Sequence, residues 1–166
     1  FGGTSLANSE QFRKVAEIIK SDPSRRYVVV SAPGKRFDGD EKITDLLYKR
    51  YALAEEEKPF DEIFGKIRER YAEIIKGLGI NIDISKKFDK VREVLIHHPG
   101  RDYAASRGEY FCGLICAEYL GYDFIDPAKV IFFNDDGTFS SEKTNEILSE
   151  ELKKHEETVL HAEERR

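Results

Sequence analysis

The chain has 166 residues, 36% of them Asp, Glu, Lys or Arg, and a formal net charge of −5. That length suits one domain with a substantial core or part of a larger one, and the intermixed, net negative charge excludes a general nucleic-acid surface, which needs a basic stripe. No apolar run approaches the ~20 residues of a membrane span, no signal-peptide pattern is present, and Cys112 and Cys116 lack histidines at ligand spacing; the expectation is a cytoplasmic protein with two packed thiols, no membrane contact and no metal site of its own.

Phe1-Gly2-Gly3-Thr4-Ser5 comes first. Adjacent glycines can hold backbone conformations closed to other residues and leave no side chain between their N–H groups and an approaching oxyanion. Asn8 or Ser9 can cap a following helix that carries Phe12, Val15, Ile18 and Ile19 on one face. A glycine loop entering a helix is a recurrent anion site. The nucleotide-loop pattern ending in Gly-Lys-Ser/Thr and the three-glycine dinucleotide pattern are both absent, and local sequence alone favours a tight turn.

Tyr27 to Ala32 is a nearly continuous apolar run, the pattern of a strand buried on both faces in a parallel sheet. Pro33-Gly34 stops it, and Lys35 to Lys42 reads as an exposed loop. Ile43, Leu46, Leu47, Tyr51 and Leu53 predict a helix ending at Glu55-Glu56-Glu57. Pro59 begins another, with Phe60, Ile63, Phe64, Ile67, Tyr71, Ile74 and Ile75 at helical spacing and Gly77 or Gly79 at its end. A third runs from Ile84 to Ile96, before His97-His98-Pro99-Gly100. The paired histidines have no acidic or cysteine partners at metal spacing and read as helix-end or solvent residues.

Ser106-Arg107-Gly108-Glu109 leads into an apolar helix, Tyr110 to Leu120, ended by Gly121. By spacing, Ser106-x-x-Glu109 is a capping box at that helix's start. Tyr122 to Asp126 predicts a short strand, and Val130-Ile131-Phe132-Phe133 a stronger one before the turn Asn134-Asp135-Asp136-Gly137. That turn is no calcium loop, because the later ligands and terminal glutamate do not follow in register. Ser140 or Ser141 starts a helix to about His155, Thr158-Val159-Leu160 begins another strand, and His161 to Arg166 is a wholly polar tail. The alternation predicts an α/β three-layer sandwich with a mainly parallel sheet between helices.

Three clusters, Phe1-Gly2-Gly3-Thr4-Ser5, Val29-Val30-Ser31-Ala32 with Thr44-Asp45-Leu46-Leu47, and Ser106-Arg107-Gly108-Glu109, stand in an order and spacing that resemble the aspartokinases. These enzymes belong to the amino acid kinase fold and phosphorylate the side-chain carboxylate of aspartate with ATP. The likeness runs to Leu160, taking in Asp126 and the Val130 to Asp135 segment, and matches roughly the first half of the family's catalytic domain. It implies that Gly2 and Gly3 bring N–H groups to the transferring phosphate, with Thr4 and Ser5 shaping the loop. It further implies that Thr44 contacts the amino-acid substrate, that Ser31 assists, and that Glu109 pairs with the substrate's α-ammonium group. On that reading Gly108 leaves room for close approach, Ser106 is a cap and Arg107 is structural. ATP with its Mg2+ and L-aspartate are the expected ligands, homo-oligomerisation is expected through other parts of the parent protein, and the pathway is the entry to lysine, threonine and methionine synthesis. The residues alone also allow Thr44 to be simply an N-cap.

The family's lysine immediately before Phe-Gly-Gly-Thr-Ser falls ahead of Phe1, so no catalytic residue is assigned. The family's later Arg-Gly-Gly-Ser-Asp segment and regulatory ACT domains find no match after Leu160. The expectation is therefore residues 1–160 as the N-terminal part of a catalytic domain, inactive by itself, with 161–166 a tail of uncertain origin. Two other readings stand beside it: a different acceptor, as in acetylglutamate or uridylate kinases, and a non-catalytic interaction module.

Overall fold

A computed structural model describes residues 1–56, 58–97 and 100–161. Glu57, His98, Pro99 and the tail residues 162–166 lie outside the described residues. Strands β1 (Tyr27–Val30), β2 (Asp123–Phe124) and β3 (Thr158–His161) form a parallel sheet in the order β1-β3-β2. In register, Val28 pairs with Val159, Val30 with His161, and Phe124 with Val159. Among the described residues six α-helices accompany it: α1 (Ser9–Lys20), α2 (Ile43–Glu55), α3 (Asp61–Leu78), α4 (Ser85–Ile96), α5 (Arg101–Leu120) and α6 (Ser141–Leu152).

One face of the sheet, carrying Val28, Val30 and Val159, packs against α5, which crosses all three strands. Apolar residues lie on almost every side of α5, as expected of a helix with protein on all sides. α2 covers its outer face, α3 covers α2, and α1 packs on α3. Phe88 stacks on Phe111 with centroids 3.9 Å apart, joining α4 to α5. On the opposite face Leu160 joins Ile125 and Val130 beneath Ile147, Leu148 and Leu152 of α6. The layered α/β architecture with a parallel sheet is the expected one.

Three local expectations fail. β1 is not buried on both faces: Val28 and Val30 are buried, but Tyr27 and Val29 are about half exposed, because the covering segment lies over β3. Val130 to Phe133 is not a strand. Asp126 caps a short 3-10 turn at Pro127–Lys129, Ile131 N–H donates back to Pro127 O at 2.8 Å, and only Phe133 pairs, in an isolated bridge with Phe139. The turn Asn134 to Gly137 that this bridge closes is as predicted.

Third, Ser106 and Glu109 do not begin a helix. α5 starts five residues before Ser106, at Arg101 after Gly100, which has φ 101°. Ser106 Oγ bonds back to Tyr103 O at 2.9 Å, the usual arrangement of a serine inside a helix. Ser106 is therefore not a cap, and Glu109 lies mid-helix. Elsewhere Asn8 caps α1 by accepting from Gln11 N–H, Gly79 rather than Gly77 closes α3, and Gly121 closes α5. Cys112 and Cys116 are buried and unbridged; burial pushes the Cys116 thiol up to about 12.

Candidate active site

At the carboxyl end of β1, where open α/β sheets place their ligands, Gly3 and Ser31 come together, with Glu109 against Ser31. Phe1 lies beside β1: its N–H donates to Val29 O at 2.6 Å, and Ser31 N–H donates to Phe1 O at 3.0 Å, the exchange of a parallel ladder. This pairing delivers Gly2 and Gly3 to the end of β1. Neither glycine has positive φ, so backbone freedom is not what the pair supplies. Gly2 is exposed, with nothing within 4 Å of where a Cβ would stand. Gly3 is required by contact: a Cβ there would sit 2.8 Å from Ala32 O, and one on Gly34 would sit 2.7 Å from Gly3 C. Gly34 N–H donates to Gly3 O at 2.7 Å, locking the two loops together. Thr4 and Ser5 continue into a 3-10 turn, Gly3–Leu6, in which Ser5 N–H bonds to Gly2 O.

On the other side stands Glu109, a carboxylate in the middle of an apolar helix and 8% exposed. Ser31 Oγ donates to its Oε1 at 3.4 Å. Gly108 is needed for packing: a Cβ there would meet Ile43 Cγ2 at 2.9 Å and Ala32 Cβ and Leu47 Cδ1 at 3.1 Å. Its small size seats α5 against α2 and the end of β1, so the space foreseen for close ligand approach is filled by protein. Thr44 follows Ile43 in the first turn of α2. The N-cap position belongs to Lys42, which makes no side-chain cap bond, so the cap-only role for Thr44 is not realised.

Two side chains that sequence reasoning did not single out hold this arrangement. Tyr71 of α3 is fully buried and donates its hydroxyl to Gly108 O at 2.5 Å; burial pushes its own ionisation well up. Arg70, beside it and also buried, donates to Gly34 O at 2.7 Å and to Asp40 Oδ2 at 2.8 Å. A signal was present, since Ile67, Arg70 and Ile74 share helical spacing and a charge on an apolar stripe has to find a partner. Asp40, clasped chiefly by Arg36 and then by Arg70, has its carboxyl held far below the usual carboxylate range.

Arg107 lies between the rings of Tyr103 and Tyr110, 4.4 and 4.9 Å from their centroids, and donates to Ser106 Oγ, consistent with a structural role. Asp126 accepts from Ala128 N–H at 3.1 Å and lies 3.6 Å from His161 Nε2; that histidine's hydrogen bonding leads in lowering its carboxyl. Among the described residues no group of three or more His, Cys, Asp or Glu is gathered as a metal cage, and no helix is long and apolar enough to cross a membrane.

The sequence and the fold are similar to those of known proteins. The chain is 46% identical to aspartokinase 3 of Bacillus subtilis (strain 168) over 90 residues, 52% of this chain and 19% of that protein. The crystal structure of Clostridium acetobutylicum aspartate kinase matches with a TM-score of 0.93 and 47% identity, covering 96% of this chain and 37% of that one. E. coli aspartokinase III in complex with aspartate and ADP matches with a TM-score of 0.75 and 24% identity, covering 97% and 39%, a likeness of fold. The chain thus spans between about a fifth and two fifths of the length of these relatives. The model of the amino acid kinase family matches residues 1–160, and the chain belongs to that family.

Proposed function

We propose that this chain is the substrate-side part of an aspartate kinase, which transfers the γ-phosphoryl group of ATP to the β-carboxylate of L-aspartate and gives 4-phospho-L-aspartate. The observation that carries the reading is the convergence of Gly3, Ser31 and Glu109 at the end of β1, from positions far apart in sequence. Glu109 is a mid-helix carboxylate placed to receive an α-ammonium group, a charge-assisted bond that a poorly hydrated setting strengthens. Ser31, and Thr44 from the first turn of α2, supply hydroxyls for the amino acid's polar groups.

Gly2 and Gly3 are the phosphate end. Gly2 is exposed, with open space where a Cβ would stand, which suits the approach of a phosphate oxygen. Phosphoryl transfer asks a protein chiefly to position groups and stabilise negative charge, and these residues do the positioning. ATP bound there would supply the phosphoryl group, with Mg2+ entering as the complex with its phosphates. The charge-stabilising cation and the adenine-binding half are assigned to the remainder of a longer catalytic domain. We place the protein in the cytoplasm as a homo-oligomer, at the entry to lysine, threonine and methionine synthesis.

A coupled ADP-release assay on the full-length polypeptide, with aspartate, N-acetylglutamate and uridylate offered separately, tests the acceptor. Turnover with aspartate alone is expected, since the other two have no free α-ammonium group for Glu109. Turnover with either of them in preference to aspartate overturns the assignment.

A further inference from the structure

We propose that Arg70 is a positioning residue for the glycine loop: its buried guanidinium fixes Gly34, and through Gly34 it fixes Gly3. The functional half of this proposal rests on the reading of Gly2-Gly3 as the phosphate end of the site.

Arg70 is 5% exposed and makes two bonds through different nitrogens, Nη2 to Gly34 O at 2.7 Å and Nη1 to Asp40 Oδ2 at 2.8 Å. Its Nε is buried without a hydrogen-bond partner among the described residues, so the guanidinium is oriented by these two contacts. Asp40 is in turn gripped by Arg36, whose backbone N–H and Nε reach Oδ2 at 2.9 Å and whose Nη2 reaches Oδ1 at 3.0 Å. Arg36 also donates to Glu73, one turn beyond Arg70 on α3, at 2.9 Å. The connection from β1 to α2 is closed at its base by Ile43 N–H on Pro33 O at 3.2 Å. It is therefore tied at its base by backbone and in its middle by one buried side chain.

Gly34 gives its carbonyl to Arg70 and its N–H to Gly3. The Gly3 and Gly34 backbones are so close that neither position accepts a Cβ without displacement. A shift of Gly34 is consequently a shift of Gly3, and the same tether bears on Ile43 and the start of α2, where Thr44 stands. A planar fork spans a carbonyl and a carboxylate together; an ammonium group is a single point charge that cannot reproduce both directions. Arg70 touches no ligand on this reading, so its effect is on geometry and falls most heavily on the loop it holds.

The test uses Arg70→Lys, Arg70→Met and Asp40→Asn in the full-length polypeptide. Amide hydrogen exchange is followed in segments 1–6 and 31–43, alongside steady-state KM for ATP and for aspartate. Faster exchange in both segments is expected for Arg70→Lys and Arg70→Met, with KM for ATP raised about tenfold and KM for aspartate within about twofold. Asp40→Asn, which leaves the Arg70 to Gly34 bond in place, should give a smaller rise; if Arg70→Met fails to fold, Arg70→Lys and Asp40→Asn decide. Folded Arg70 variants with unchanged exchange in 1–6 overturn the coupling itself. Faster exchange in 1–6 with unchanged KM for ATP leaves the coupling standing and overturns the assignment of the loop to phosphate.

Discussion

Ser31 Oγ lies 3.4 Å from Glu109 Oε1, although 78 residues separate the two in sequence. The contact is longer than an ordinary O–H···O bond, so it sets the two side chains on one site without binding them tightly to each other. Ser31 arrives from the end of β1 and Glu109 from the middle of α5. What sets their distance is Gly108, whose missing side chain lets α5 rest on Ile43, Ala32 and Leu47.

The glycine pair offers a contrast within two adjacent residues. Gly3→Ala puts a methyl 2.8 Å from Ala32 O and should cost about 1–3 kcal/mol of stability in urea unfolding. Gly2→Ala enters open space at φ −81° and should stay within about 0.5 kcal/mol of the parent. Equal losses at the two positions would contradict the packing described for Gly3.

Arg50 is a cation at 0% exposure in α2, its guanidinium carbon 4.1 Å from the Phe60 ring centroid and its three guanidinium nitrogens without hydrogen-bond partners among the described residues. Burial, with a smaller contribution from Arg92, lowers its ionisation to about 10. Replacing a buried, unpaired charge by an apolar side chain of similar length removes a desolvation penalty. Arg50→Met should therefore raise stability by about 1–2 kcal/mol, read as a higher thermal midpoint, whereas a fall of that size would mean that stacking on Phe60 outweighs the burial penalty.

His155 joins the end of α6 to β2, with Nδ1 2.7 Å from Asp123 Oδ2 and Nε2 3.4 Å from Glu151 Oε1. The hydrogen bond with Asp123 leads in raising its pKa above the ordinary histidine value. A raised folded-state value means the contribution to stability is complete below the unfolded value, near 6.5, and is lost as pH rises through the folded one. The gap in urea midpoint between the parent and His155→Gln should therefore be wider at about pH 5.5 than at about pH 8.5. A gap that is constant or widens with pH would contradict the assignment.

Much of this was legible from periodicity. α1 to α4 follow from apolar residues at helical spacing, α6 from the serine at its start, and β1 and β3 from their aliphatic runs. The start of α5 was not legible, because Ser106-x-x-Glu109 satisfies a local capping pattern while the backbone in front of it is already helical; only tertiary burial of Ala104 and Arg107 reveals this. Val130 to Phe133 has strand chemistry, but Pro127 diverts the backbone into a turn and Val130 into the second core. Ser31 and Glu109 were named from sequence and stand together. Arg70 and Asp40 were not, since the two are 30 residues apart: the apolar stripe around Arg70 calls for a partner without naming it, and Asp40 reads as part of an exposed loop.

The central claim is that Glu109 holds the amino group of aspartate while Gly2-Gly3 serve the nucleotide. It is tested most directly by Glu109→Gln in the full-length polypeptide, with kcat/KM for aspartate and KM for ATP measured together. Removing one partner of a desolvated charge pair should lower kcat/KM for aspartate on the order of 100-fold, with KM for ATP within about twofold. Unchanged kinetics with aspartate, or a loss carried equally by KM for ATP, would contradict the account.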